Sequence, residues 1–366
     1  MTHDDHGVFS DLFVLDLANN HLGSVRRGLK IVRDFAAVVR AHGVRASIKL
    51  QFRDVDHFIH RDFSGSTDIR YIRKTEATKL SAAEFGELVE AVKAEGCIPM
   101  ATPFDERSVD LCETFDMPLL KVASSDANDW PLLEKVAGTR RPVIVSTGGC
   151  TEAELDAVVG FFDQRGIPLA INHCVSLYPA EDSALELNQI DYLRDRYPRH
   201  VIGYSTHEYT SWDASMYMSY AKGARTWERH IDIDYEGAPV STYCSLPEQV
   251  DVWFAAYHKA REMSGGSPAQ RRALPRREVE YLDALVRGVY ARRALPAGHT
   301  ITPENFERDF YLAIPLRKGQ LSCREHLDGL QLAQPLAADA ALMLQAVSGA
   351  LAEDEGRRAR ILQRGL

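Results

Sequence analysis

Eight short apolar runs, each closing on a cluster of polar residues, alternate with segments of helical periodicity. The runs are FVLDLANNH (13–21), SIKLQ (47–51), CIPMATPFD (97–105), LLKVASSD (119–126), PVIVSTGG (142–149), PLAINHC (168–174), VIGYSTH (201–207) and TWERH (226–230). Strands buried on both faces read as continuous apolar runs, and parallel strands need long, usually helical, crossovers. Between the runs, SVRRGLKIVRDFAAVVRAHG (24–43), SAAEFGELVEAVKAEG (81–96) and TEAELDAVVGFFDQRG (151–166) place apolar residues at helical spacing between a Ser or Thr cap and a closing Gly. In the third, Thr151 stands three residues before Glu154, the spacing of a capping box. Eight repeats of strand and helix predict an α/β fold, a closed (β/α)₈ TIM barrel over residues 1–263. In that architecture the chemistry sits at the C-terminal ends of the strands.

The 366 residues exceed the roughly 250 that a barrel uses. Residues 264–284 are rich in Gly, Pro and charge and read as a linker. Residues 285–348, with short apolar runs, AGHT and RKGQ turns and a PEN helix start, predict a small β-rich domain. The remainder, 349–366, reads as a charged tail ending in a frayed helix. Within the barrel the polar stretch 52–80 after the second strand is either a lid or substrate-contacting loop, or a plain insertion.

Composition narrows the partners. A net charge of -9 argues against nucleic acid, though a few local cations can still hold a small anion. No apolar stretch approaches the roughly 20 residues that span a bilayer, so no membrane role is expected. The acidic, polar start argues against a secretory signal. Six scattered cysteines without a CxxC pair read as reduced thiols in a cytoplasmic protein. Cys174 ends a strand, but no clear base accompanies it as a nucleophile.

The strand ends carry the candidate chemistry. His207 and His230 close adjacent strands, so both imidazoles point into one mouth, with Glu228 beside the second. Imidazole suits Mn²⁺, Fe²⁺ or Zn²⁺, and two ligands leave positions open for water and substrate oxygen. Lys49 and Lys121 lie inside strands two and four, with Ser124, Ser125, Ser146, Thr147, Gly148 and Gly149 at the following strand ends. Lysines, hydroxyls and exposed backbone N–H groups form a phosphate or carboxylate pocket. The alternative is a pair of internal salt bridges to Asp16 and Asp126. Asp16 alternates onto the face of Ala18 and Asn20, as a general base, a metal neighbour or simply a partner for Lys49. Asn20 and His21 offer themselves equally as caps of the next helix.

NNHLGS, IKLQ, ATPFDERSVD, KVASSDANDWPLLE, PVIVSTGG, NHCVSLYP, GYSTH and ERH occur in the order and spacing of the sialic acid (N-acetylneuraminate) synthase family, which residues 12–263 resemble. GVYARRALPAGHTITPENF resembles the opening of that family's C-terminal antifreeze-like (SAF) domain. The resemblance implies a phosphoenolpyruvate-dependent condensation with the open-chain aldehyde of an amino sugar, giving a nonulosonic acid and phosphate. It implies a divalent metal, Mn²⁺ (or Mg²⁺), on His207 and His230. It implies phosphoenolpyruvate contacts at Lys49, Lys121, Ser124, Ser146 and Ser205, and sugar contacts at Gln51, Thr102, Tyr178 and Glu228. A domain-swapped homodimer, with the small domain over the partner's barrel, is also implied.

The departures fall mainly on the sugar side. The family has Glu where this chain has Asp16, and GE where it has Ser125 and Asp126. A PGPDHKASL-like loop is replaced by YEGAPVSTYCSL, with Ser241 and Thr242 at the Asp-His position. The arginine that reaches the partner's site has only Arg317 as a weak counterpart. A non-standard acceptor, such as a diacetamido-trideoxy sugar, is the resulting expectation. Should it carry a phosphate, Arg53, Arg61, Arg70 and Arg73 are the candidate contacts. A metal-dependent aldolase or lyase using pyruvate, and a non-catalytic sugar-binding relative, are the rival readings.

Overall fold

In the computed structural model, which describes residues 7–365, the eight apolar runs become one closed parallel barrel with its strands in sequential order. They are β1 (Leu12–Ala18), β2 (Arg45–Phe52), β3 (Ile98–Pro103), β4 (Leu120–Val122), β5 (Val143–Ser146), β6 (Leu169–Cys174), β7 (Val201–Thr206) and β8 (Thr226–His230). Closure is made by β1, whose Leu12 faces Arg45 of β2 on one side and Thr226 of β8 on the other. The crossover helices start and stop where their caps lie. Ser24 Oγ accepts from Arg27 N ahead of Val25–His42, and Gly43 ends that helix at φ 60°. Ser81 with Glu84, and Thr151 with Glu154, close reciprocal capping boxes ahead of Ala82–Ala94 and Glu152–Gln164.

The barrel interior is layered. Its lower part is apolar and packs Leu12, Val14, Met100, Leu119, Ile144 and Ala170 around Phe9, from the short turn Gly7–Phe9. Above them the interior turns polar: Ser47, Asn172, Thr226, Lys49, Lys121, Asp16 and Glu228 are all buried. The other face of the strands packs against the helices. There Phe13 stacks on Trp227 at 5.2 Å and meets Trp253, Phe254 and Tyr257 edge-on. Such ring pairs contribute about 0.5–1.5 kcal/mol each beyond their burial. The β1–β2 register slips between Asp16 and Ala18, and Ala18 takes a left-handed φ of 50°. Its N–H donates to Asp16 Oδ1 at 2.9 Å, so the buried carboxylate supports a backbone conformation that a Cβ disfavours.

The chain divides into two compact units, the second beginning at Gly266. That second unit holds two small antiparallel sheets, Gly288–Ala291 (β9) with Phe310–Ala313 (β10), and Gln331–Leu332 (β11) with Val347–Ser348 (β12). The expected PEN start opens the helix Pro303–Asp309. Two segments differ from the sequence reading. Inside the expected linker, Arg276–Asp283 is helical. The expected frayed tail is the helix Glu355–Gln363, anchored by Ile361 in the core of this unit and by an Arg364–Glu325 ion pair. The polar segment after β2 also contains two short helices, Val55–Phe58 and Arg70–Ala77. Among the described residues no helix is long and apolar enough to cross a membrane.

Candidate active site

A cavity of about 480 Å³ opens at the C-terminal strand ends, with walls drawn from all eight strands and the loops that follow them. One wall gathers an ammonium group, hydroxyls and a backbone N–H. Lys121 Nζ donates to Ser146 Oγ (2.6 Å) and to the Val122 carbonyl (2.8 Å). Ser124 Oγ accepts from Gly148 N at 3.1 Å. A Cβ at Gly148 would sit 2.1 Å from Ser176 Oγ, so only a bare backbone fits this approach. Burial pulls the Lys121 pKa down, against the pull of Glu228, whose Oε2 lies 3.9 Å away and lacks a hydrogen-bond partner. A buried cation with no tight carboxylate partner favours an incoming anion.

Lys49 is placed differently. It lies off the cavity wall, beneath the floor, with Nζ 2.8 Å from Asp16 Oδ2, 3.4 Å from Glu228 Oε1 and 3.0 Å from Thr102 Oγ1. Burial alone would lower its pKa, but Asp16 and Glu228 more than reverse this and raise it. Burial would likewise raise the Asp16 carboxyl, yet Lys49 carries it below the usual range. Lys49 therefore makes the internal ion pair with Asp16, while Lys121 is not paired with Asp126. Asp16 itself reaches the wall, and Gln51 Nε2 lies 3.4 Å from its Oδ2.

Across the cavity stand His207 and His230, ring centroids 5.4 Å apart. His207 Nδ1 lies 2.9 Å from the Val175 carbonyl, which can only accept, so the proton sits on Nδ1 and Nε2 keeps its lone pair. Burial holds the His207 pKa down to about 3 and lowers that of His230, so both rings are neutral. His230 Nδ1 is buried without a hydrogen-bond partner, although Asp16 Oδ2 lies 3.3 Å away. Two neutral imidazoles with free lone pairs fit a divalent cation. Among the described residues, no group of three or more His, Cys, Asp or Glu side chains is arranged around one metal position, so the pair would be the protein's whole contribution.

Of the other predicted positions, Ser205, Gln51, Thr102, Glu228 and Tyr178 line the cavity. The Tyr178 ring lies 4.0 Å from that of His207. Cys174 also lines it, with burial raising its thiol pKa. His21 and His173 do not. His21 Nδ1 accepts from Gly23 N, a local turn contact, and His173 Nε2 lies 2.8 Å from the Leu185 carbonyl. In the loop after β8 neither Ser241 nor Thr242 reaches the wall; Tyr243 does.

The rim contains residues that strand-end spacing could not single out. Tyr71, Lys74 and Thr75 come from the helix Arg70–Ala77. Arg53 lies face-on to Phe104, 3.5 Å from the ring centroid, with Nη1 3.3 Å from Gln51 Oε1 and a buried, unpartnered Nε. Of the four loop arginines it alone lines the cavity. Asp126, in the turn Ser124–Asp126 after β4, does not line the cavity; its Oδ2 is buried without a partner, and burial raises its carboxyl to about 6.

Comparison with known proteins agrees with the barrel fold. A N-acetylneuraminate-9-phosphate synthase of Drosophila melanogaster is 32% identical over 201 residues, 54% of this chain and 53% of that one, so the match spans about half of that relative's length. A pseudaminic acid synthase of Campylobacter jejuni is 29% identical over 230 residues, 60% and 65% of the two chains. A solved Chromobacterium violaceum structure, assigned to spore coat polysaccharide biosynthesis (protein E), is 36% identical. It superposes with a TM-score of 0.87 over 92% of this chain and 99% of that one. The NeuB family model matches residues 37–266, well over half of the chain, and the protein belongs to the NeuB family.

Proposed function

We propose that this protein condenses phosphoenolpyruvate with the open-chain aldehyde of an amino sugar, giving a nonulosonic acid and phosphate. Carbon 3 of phosphoenolpyruvate forms the new bond to the aldehyde carbon, water adds at carbon 2, and phosphate leaves as its bond to carbon 2 breaks. The observation that carries this reading is the placement of an anion-binding wall opposite two neutral imidazoles across one cavity. Family membership and the synthase activities of these relatives support the same chemistry.

Lys121, Ser124, Ser146 and the Gly148 backbone would hold the anionic groups of phosphoenolpyruvate, with Ser205 nearby on the next wall. Lys49 would act from below, keeping Asp16 ionised at the floor and holding Glu228 beside it. Glu228, Gln51 and Thr102 would face the sugar, with Tyr178 closing over the imidazoles. His207 and His230 would hold a divalent cation, Mn²⁺ or Mg²⁺, which when bound polarises a carbonyl oxygen. Asp16, one methylene shorter than the family's Glu, is the carboxylate nearest the imidazole pair and would orient the water that adds at carbon 2. The acceptor is an N-acetylmannosamine-like or diacetamido-trideoxy sugar. A homodimer in which the second unit serves the partner's barrel belongs to the same proposal.

The test is phosphate release from phosphoenolpyruvate with Mn²⁺ and a panel of amino sugars, beside a His207→Ala control. Release with one sugar, abolished in the control, supports the reading and names the acceptor. Release that persists undiminished in His207→Ala would sink the metal part of it.

A further inference from the structure

Directly behind the two imidazoles lies a pair of charged side chains with no place in the chemistry above. His207 is followed by Glu208, and His230 is preceded by Arg229. Arg229 alternates with His230 along β8, and Glu208, just past the end of β7, accepts from Ser215 Oγ of the helix Ala214–Ala221, so both charged side chains face the helices while the histidines face the mouth. There Arg229 Nη1 meets Glu208 Oε1 at 2.7 Å and Nη2 meets the Glu208 carbonyl at 2.9 Å. Arg229 Nε donates to Ser245 Oγ at 2.8 Å, and each side chain is only 1% exposed. Ser245 in turn donates its N–H to the His230 carbonyl at 2.8 Å, and Ala180 donates to the His207 carbonyl at 3.0 Å. One guanidinium thus ties together the end of β7, the end of β8 and the loop that follows.

Such a pair is a poor device for stability. Desolvating two charges costs much of what their attraction returns, and apolar residues of similar size usually serve a fold as well or better. Glu208 Oε2 is moreover buried without a partner, which adds to the cost. What an ion pair with a fixed fork supplies, and apolar packing does not, is geometry.

We propose that Glu208 and Arg229 are positioning residues that set the relative placement of His207 and His230 as ligands for a divalent cation. This rests on the metal reading above and adds residues to it that touch neither cation nor substrate. The test uses the full chain, Mn²⁺ alone as titrant in calorimetry, the visible absorption of Co²⁺-loaded protein, and thermal unfolding followed by tryptophan fluorescence. Glu208→Leu with Arg229→Met should keep the unfolding temperature within a few degrees, weaken Mn²⁺ binding at least tenfold and shift the Co²⁺ bands. Arg229→Lys, which keeps the charge but loses the fork, should fold and show an intermediate loss, and it decides the matter if the double variant does not fold. Mn²⁺ affinity within threefold of the parent in whichever of these variants folds would overturn the proposal. A parent protein that binds no Mn²⁺ would overturn the metal reading itself, a separate and distinguishable failure.

Discussion

Replacing Lys49 by Met tests whether the floor of the cavity is an electrostatic keystone. The lysine is shared by two carboxylates, Asp16 at 2.8 Å and Glu228 at 3.4 Å, and the three side chains are 3%, 2% and 7% exposed. Removing a partner from a buried ion pair costs about 3–5 kcal/mol, because the remaining charge is left uncompensated. Here two carboxylates lose the same cation, so the upper part of that range is expected. For a unit of this size the loss corresponds to roughly 6–20 °C in unfolding temperature. All four tryptophans, Trp130, Trp212, Trp227 and Trp253, lie in the barrel unit, so urea unfolding followed by their fluorescence reports that unit alone. Adding Glu228→Gln to Lys49→Met should recover about 1–2 kcal/mol, the coupling expected of side chains in one network. A loss below about 1 kcal/mol, the value of an exposed pair, would refute the argument. So would strict additivity in the double variant.

A Cβ at Gly203 would fall 1.8 Å from Thr226 Oγ1 and 2.2 Å from Asn172 Oδ1, so Gly203→Ala should cost the barrel about 3 kcal/mol or more in the same urea assay. Gly160, in the helix Glu152–Gln164 with nothing within 4 Å of its Cβ position, should instead give about 0.5–1 kcal/mol of stabilisation on substitution by Ala. In the second unit, hydrogen bonds from Arg308 and Arg293 outweigh burial and hold the Asp309 carboxyl down to about 2. A depressed carboxyl stabilises above its unfolded pKa and loses that contribution as pH falls, here between about pH 4 and 2. Asp309→Asn should remove this pH dependence, worth at most about 2 kcal/mol since both arginines are more than half exposed. Hydrogen exchange across residues 288–313 at pH 3 and pH 7 would measure it, and equal protection at both in the parent would count against the assignment. Cys323 is the exposed thiol, whereas Cys97, Cys112, Cys174 and Cys244 are buried. Brief alkylation of folded protein should therefore label Cys323 first, with Cys150 slower and the other four only after unfolding, as read by peptide mass spectrometry.

The barrel was legible because each strand is buried on both faces and so writes its boundaries as an apolar run. The polar strand ends were legible for the complementary reason that such residues have no folding role inside a core. Finer placement was not. SIKLQ says that Lys49 points inward, but only the register of β1 against β2, which puts Asp16 opposite Lys49, sends its charge to the floor. Arg53 looked like one of four loop arginines, and its distinction is a ring from β3–helix territory, Phe104, some fifty residues away. Tyr71, Lys74, Thr75 and Tyr243 reach the cavity through loop conformations that carry no period. The tail read as frayed because its charged residues are as many as its apolar ones, yet a single buried Ile361 suffices to seat the helix Glu355–Gln363.

Barrel closure has a consequence in time. Strand β1 pairs with β8, so Leu12 waits for Thr226, which emerges from the ribosome roughly 200 residues later. At about 5–20 residues per second that is a delay of roughly 10–40 s. Throughout it, β1 carries one unpaired edge, a ready template for another nascent chain. A closed barrel whose first and last strands are neighbours thus makes the yield of folded protein sensitive to synthesis rate and chain concentration. Slowing translation upstream of β8 should lower that yield.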